Sequence, residues 1–407
     1  MVLVIAFSTF VPFSIRDSYG LNGQQYSWPM FHHDVGHTGY SGSSAPDSNN
    51  LLWRFKTNGE IVSSPVVDYG LVYVGSRDHF LYSLNATTGD EVWKYETRSQ
   101  VESTPSVVDA RVYVGSNDNY VYCFDAYNGS VIWRFETQGP ILSLAVFDGK
   151  VYASSADTYV YCLDGTSGAK IWRYAAGGWA GSITAVNGKV FVGSWVPGYN
   201  FSCLNAITGT VMWSFQPRIN IIPTYAAVAD DKVFIGEQSI PGYMYSIDAN
   251  TGELIWDRQL ELPVASSPAV GGGKVFVGSN DNYVYCFDAA DGSLIWRFQT
   301  QGPVLSSPAV ADGEVLFGSN DGFVYAIDES SGTLKWSYGI EKFVRSSPAI
   351  ADDQVFVGSD DGYLYAFGPR QKTFVSLEVL LALGIVITVV PLVMILWLIK
   401  SRKKKVK

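Results

Sequence analysis

Few residues in this chain are suited to chemistry. His32, His33, Asp34 and His37 crowd the stretch FHHDVGHTGY, and imidazoles at that density would suit a transition metal. Only His79 is left elsewhere and the cluster lies outside the repeats described below, so no metal site is expected. Serine is plentiful, but no GxSxG turn leads into a helix and histidine is nearly absent from the rest of the chain, so a serine nucleophile lacks a base. Asp78, Asp118, Asp281, Asp321 and Asp361 recur in the context GS-x-D and suggest a ring of ligands. Aspartate in a tight hairpin normally accepts bonds from its own backbone, and no segment has the spacing of a calcium loop. Cys123, Cys162, Cys203 and Cys286 share one slot that other repeats fill with Ser83, Ser246, Ala326 and Ala366. A slot open to Ala, Ser or Cys is a small packing position, so buried thiols are expected there rather than a disulfide framework. No catalytic, cofactor-binding or metal-binding residue is assigned.

The elements behind these residues are set by tryptophan. Trp53, Trp93, Trp133, Trp172, Trp213, Trp256, Trp296 and Trp336 follow one another at intervals of 40, 40, 39, 41, 43, 40 and 40 residues. A period near 40 signals propeller blades or helical arrays. Within a unit such as SSPAVGGGKVFVGSNDNYVYCFDAADGSLIWRFQT, short β-rich runs alternate with turn clusters and no helical period appears. Each unit reads as four antiparallel strands: A (SSPAV), B (KVFVGS), C (YVYCFD) and D (SLIWRF). One such sheet cannot bury both faces, so the sheets stack around an axis, with the D-strand Trp docking structurally between neighbours. The A, B and C strands occur eight times, the last ending at Phe367 without a D strand, whereas LLWRFKT at Leu51–Thr57 is a D strand with nothing before it. The fold expected is all-β, an eight-bladed β-propeller closed by this N-terminal strand, with one C-terminal transmembrane helix.

The membrane helix rests on Val379 to Ile399, 21 residues without a charge and about 31 Å long as a helix. Six cations crowd the last eight residues, which places the C-terminus in the cytoplasm and the propeller outside. The formal charge is −10, and without that tail 22 cations face 38 anions, a net −16 that repels nucleic acid. The expected divisions are a signal-peptide-like or anchor segment (1–25), a lead-in (26–50), the propeller (51–368), a linker (369–378), the span (379–399) and a basic tail (400–407). Sequons at Asn85, Asn128 and Asn200 agree with an outside location. Because strand directions alternate and the chain leaves after a C strand, the face bearing C–D turns should point to the membrane, with B–C loops and D–A links on the distal face.

The turns NATTGDEVW, DAYNGSVIW, DGTSGAKIW, NAITGTVMW, DANTGELIW, DAADGSLIW and DESSGTLKW resemble the Asp-Ala-x-x-Gly-x-x-x-Trp docking motif of pyrroloquinoline-quinone (PQQ) repeat proteins. The similarity spans Leu51 to Gly368, and YSWPMFHHDVGHTGYS resembles their lead-in segment, which implies a packing role beside the composite blade. The family implies two kinds of member. Quinoprotein dehydrogenases bind PQQ and calcium on the propeller axis and typically carry a vicinal Cys-Cys pair; this chain has no adjacent cysteines and none of their long insertions. The other kind resembles the lipoprotein scaffold of the bacterial outer-membrane assembly machine, and this chain is closer to it in length and compactness. A protein- or glycan-binding scaffold without catalysis is therefore expected, the alternative being a quinoprotein-type oxidoreductase with PQQ and calcium.

Departures from the repeat point to the partner site. Blades three to five replace SSP by SLA, SIT and TYA, and blades four and five lengthen the B–C loop to SWVPGYN and EQSIPGYM. Both changes fall on the distal face, so Trp179, Trp195, Tyr199, Arg218, Tyr225, Glu237 and Tyr243 are candidates for one recognition patch, with drift of the loops as the alternative.

Overall fold

The computed structural model describes residues 27–194, 200–218 and 224–369, all of them in one compact unit. The expected span at 379–399, the segment 1–25, Trp195 and Tyr199 lie outside the described residues. Among the described residues no helix is long and apolar enough to cross a membrane.

Eight sheets follow one another along the chain, each with its strands in the order A–B–C–D. In blade 1 these are Val66–Asp68, Leu71–Gly75, Phe80–Asn85 and Glu91–Glu96. B and C strands are apolar and buried on both faces because a neighbouring blade covers each side, whereas D strands at the rim alternate. The A strands are Val66–Asp68, Ser106–Val108, Ile141–Phe147, Ala180–Val186, Ala227–Ala229, Ala269–Gly271, Ala309–Ala311 and Ala349–Ala351. Blade 8 is composite: Leu51–Lys56 pairs antiparallel with Tyr363–Phe367, with Trp53 opposite Ala366 and Lys56 opposite Tyr363. The head of the chain thereby closes the ring and covers what would be an open sheet edge.

Tryptophan joins the blades by one repeated contact. Trp93 Nε1 donates to Ala126 O at 2.8 Å, Trp133 to Gly165 O at 3.0 Å and Trp296 to Glu329 O at 3.0 Å, each acceptor lying in the C–D turn of the next blade. The turn glycine lies beneath the ring. A Cβ on Gly129 would come within 2.6 Å of Trp93, and its φ of +69° already excludes most side chains. A β-bulge just before the Trp re-aims it inward and leaves the two preceding residues, such as Val131 and Ile132, outward. The eighth tryptophan has no such turn to meet, because the C and D strands of blade 8 come from opposite ends of the chain. Trp336 Nε1 instead donates to Pro46 O at 3.0 Å, and Asn49 Nδ2 anchors the same stretch to Ser337 O at 2.9 Å.

The four cysteines are buried and free, and burial pushes their thiols up to about 12. Ser83 and Ser246 in the same slot are buried with no partner for their hydroxyls, as a packing position implies.

Replacing Trp296 with Ala should remove about 3–5 kcal/mol of stability by deleting a buried ring and leaving a cavity. Equilibrium unfolding in urea measures this, and a shift below about 1 kcal/mol would show that the ring does not join blades 6 and 7.

Candidate functional site

The A strands are innermost, so their free edges line the axis, and the residues at their two ends decide what the axis holds. At the D–A end the SSP motif does two jobs. Its first hydroxyl accepts the N–H of the B-strand glycine in its own blade: Gly115 to Ser103 at 2.8 Å, Gly318 to Ser306 at 3.0 Å and Gly358 to Ser346 at 3.1 Å. Its second hydroxyl accepts a backbone N–H from the preceding blade. These bonds run Tyr225 to Ser267 (2.9 Å), Ser267 to Ser307 (2.9 Å), Ser307 to Ser347 (3.0 Å), Ser347 to Ser64 (3.1 Å) and Ser64 to Thr104 (3.3 Å). An arc of hydroxyls thus links blades 5 to 2 around the axis.

Where SSP is lost the backbone takes over. The A strands of the SSP blades, where proline withholds an N–H from the ladder, and of blade 5 are three residues long, whereas blades 3 and 4 pair over Ile141–Phe147 and Ala180–Val186. In blade 5, Thr224 replaces the first serine and accepts from Gly236 N at 3.0 Å.

At the A–B end the lead-in segment crosses the axis, where family resemblance had implied only a place beside the composite blade. Trp28 exchanges both backbone bonds with Val67 at 2.8 Å, and Pro29, Gly36, Thr38 and Gly39 accept the N–H groups of Val107, Val228, Val270 and Val310. Tyr40–Ser41 then adds to blade 7 as a parallel fifth strand. The inner edges of five blades are satisfied by one strap, and only residues 42–50 run on to the composite blade. His32, His33 and His37 turn the strap at φ of 53°, 75° and 51°. His32 Nδ1 donates to His37 O at 3.2 Å. Thr184 donates to Ala226 O, so His37 Nδ1 must donate to Thr184 Oγ1, 3.1 Å away. Burial lowers both rings, His32 to about 4 and His37 to about 3, so they pack as neutral groups. Among the described residues no group of three His, Cys, Asp or Glu could hold a metal.

Strap and arc together make a cup on the axis, closed at the A–B end and open at the D–A end, with a volume near 460 Å³. Phe31 forms its floor and stacks on Tyr225 at 4.1 Å between ring centres. Ser64, Thr104, Ser267, Ser307 and Ser347 line one side; Leu142, Trp179 and Tyr225 line the other. The charges at the mouth are paired. Arg77 bridges Glu60 and Glu102, and Arg345 bridges Glu60 and Asp360, so Glu102 and Arg345 enter the wall already neutralised.

The residues expected to form one patch separate. Trp179, 55% exposed, and Tyr225 belong to the cup. Arg218 lies further out, bound to Asp257 at 2.5 Å and over the Tyr243 ring at 5.3 Å, while Tyr243 donates to Gln259. Glu237 is buried and accepts from Tyr245. That is the part played elsewhere by the hairpin aspartates: Asp281 accepts from Tyr283 N and from Tyr285 OH, and Asp118, Asp321 and Asp361 do likewise. Glu237 therefore carries packing, not an exposed contact. Phe31, Leu142 and the hydroxyl arc were not singled out from sequence. The arc's signal was the second serine of SSP, which repeats on the inner strand of a ring; Phe31 and Leu142 had none.

Residues 42–146, 118–262 and 241–371 match the family model described as outer membrane protein assembly factor BamB. The chain belongs to that family. No curated protein matches it. Among solved structures, BamB from Moraxella catarrhalis superposes with a TM-score of 0.68 at 16% identity, over 79% of this chain and all of that one. Quinohemoprotein alcohol dehydrogenase from Comamonas testosteroni gives 0.71 at 15%, over 84% and 80%. The computationally designed Ika8 protein gives 0.72 at 18%, over 79% and 100%. At these identities the likeness is one of fold, and the BamB-family ring is shared by proteins named as enzymes and by BamB alike.

The strap makes stability depend on acid. Its neutral histidines have depressed folded values, so their contribution is complete above pH 6.5, erodes below it, and is lost once the pH has passed through about 4 and about 3. Thermal melts should show the midpoint falling more steeply between pH 6.5 and 4 for the native chain than for a His32→Asn, His37→Asn double variant. Parallel curves would mean the rings are not held neutral.

Proposed function

We propose that this propeller is a membrane-anchored, extracytoplasmic scaffold that binds a protein or glycan partner through its distal face and performs no catalysis. The observation that carries this is the one-ended cup, whose open mouth carries a half-exposed tryptophan and no unpaired charge. A large aromatic at the rim of a closed pocket is a recognition anchor. The cup opens at the D–A links, the face that the direction of the last C strand turns away from the membrane.

The alternative, an oxidoreductase with PQQ and calcium on the axis, is disfavoured by the donor set. Calcium takes six to eight oxygens, largely carboxylates and carbonyls, and the wall offers one carboxylate, Glu102, which Arg77 already holds. These residues do not fit the pair of ligands. The membrane anchor rests on the charge-free run Val379 to Ile399 and the basic tail after it.

Two experiments test the proposal. Pull-down from native membranes should recover a partner with the native chain and roughly tenfold less of it with Trp179→Ala, the loss of one anchor contact; equal recovery would remove the cup from the interface. Topology can be read with a thiol label, since the native cysteines are buried. An Ala290→Cys variant should react in intact cells with a membrane-impermeant maleimide, and labelling only after lysis would place the propeller inside.

A further inference from the structure

We propose that the axial cup takes a neutral saccharide, which rests on the scaffold assignment above and narrows it to one ligand class. Three features of the wall select the ligand.

The first is the direction of the hydroxyl arc. A serine or threonine hydroxyl has one proton and two lone pairs. On Ser64, Thr104, Ser267, Ser307 and Ser347 a backbone N–H occupies a lone pair, and among the described residues no protein acceptor meets the proton. All five residues are more than nine-tenths buried, so these protons face the cup. In the open cup these protons are offered to whatever occupies it, and a ligand rich in acceptor oxygens would take them up.

Opposite the arc lies the second feature, where the large side chains Leu142, Trp179 and Tyr225 stand with the small Ser143, Gly181 and Ser182 above the Phe31 floor. The ligand must therefore present oxygens on one edge and a flat apolar face on the other. A pyranose ring does both, with hydroxyls around its edge and C–H groups on its face. Its own hydroxyl protons find acceptors in Gln238 and Glu102 at the mouth.

Charge is the third. Glu102 and Arg345 are the formal charges of the wall and both are already paired, so a carboxylate or ammonium in the cup would be desolvated without compensation. The volume near 460 Å³ suits a small ligand or the end of a longer chain, and the closed floor prevents threading.

The test uses the full chain in a detergent without a sugar headgroup. Glucose, galactose, N-acetylglucosamine, maltose, cellobiose and chitobiose are screened by saturation-transfer NMR and titrated by calorimetry. At least one should bind saturably, and Trp179→Ala and Ser307→Ala should each weaken it roughly tenfold, about the worth of one lost contact. Ile255→Ala on the outer rim should leave affinity unchanged. Trp179 is exposed, so its variant keeps the test meaningful if Ser307→Ala fails to fold. Failure of every sugar to bind, or equal binding by native chain and Trp179→Ala, overturns the saccharide assignment. If that happens while Trp179→Ala still loses its membrane partner, the scaffold assignment stands without the sugar; if the pull-down is unchanged too, both fall.

Discussion

Each blade is fastened to the next by an indole N–H that must find a carbonyl in the neighbour's C–D turn. The ring fills the gap between two sheets, and its buried N–H would be costly if left unmade, so the turn must bring a carbonyl over the indole nitrogen and a residue without Cβ beneath the ring. Gly129, Gly168 and Gly292 meet that second demand under Trp93, Trp133 and Trp256. One contact, repeated, thus fixes blade spacing, turn sequence and the bulge that precedes each tryptophan. Closing the circle creates a defect that the same contact must repair. The composite blade joins two chain ends, so it has no C–D turn to offer Trp336. Pro46 supplies the carbonyl instead, which makes the residues before the first strand part of the ring.

That requirement ties the lead-in to the rest of its path. Before reaching Pro46 the chain crosses the axis, and the reason is the inner edge of the A strands. Val67, Val107, Val228, Val270 and Val310 each point a backbone N–H at the axis, and such groups must be paired once water is excluded. A single strap with its carbonyls outward satisfies all five. Three histidines in left-handed conformations let it turn within that space, and burial holds His32 and His37 neutral. Capping one end of the axis also makes the other end a pocket, since Phe31 becomes a floor only because the strap passes below it.

Much of this was legible in the chain. The tryptophan period gave the blades, the orphan strand at Leu51 and the missing one after Phe367 gave the composite sheet, and GS-x-D gave aspartates spent on their own hairpins. The path of the strap was not, because a coil has no periodicity that says where it lies; only the count of unpaired inner-edge N–H groups could have required it. Glu237 misled for a different reason. The pattern showed an aspartate missing from blade 5, but not that a longer carboxylate two positions earlier, in the serine slot of GS-x-D, would reach the Tyr245 hydroxyl and restore the same bond.

The serine motif shows how a repeat can vary without losing its fold. In the SSP blades the A strand pairs with B over only three residues, and the first serine accepts the N–H of the B-strand glycine beyond them. In blades 3 and 4 the ladder extends to seven residues, while blade 5, which also lacks the proline, keeps a three-residue strand with Thr224 in the serine's place. The direction of the belt changes at the same place: Ile183 N donates back to Ser143 in the preceding blade, against the forward sense of every link from blade 5 to blade 2. The wall of the cup is therefore divided by its own construction. From blade 5 round to blade 2 it is lined by the hydroxyl arc; in blades 3 and 4 Leu142 and Trp179 stand beside Ser143 and Ser182. The large aromatic at the rim, Trp179, and the seven-residue A strands thus fall in the same pair of blades, where the repeat departs from SSP.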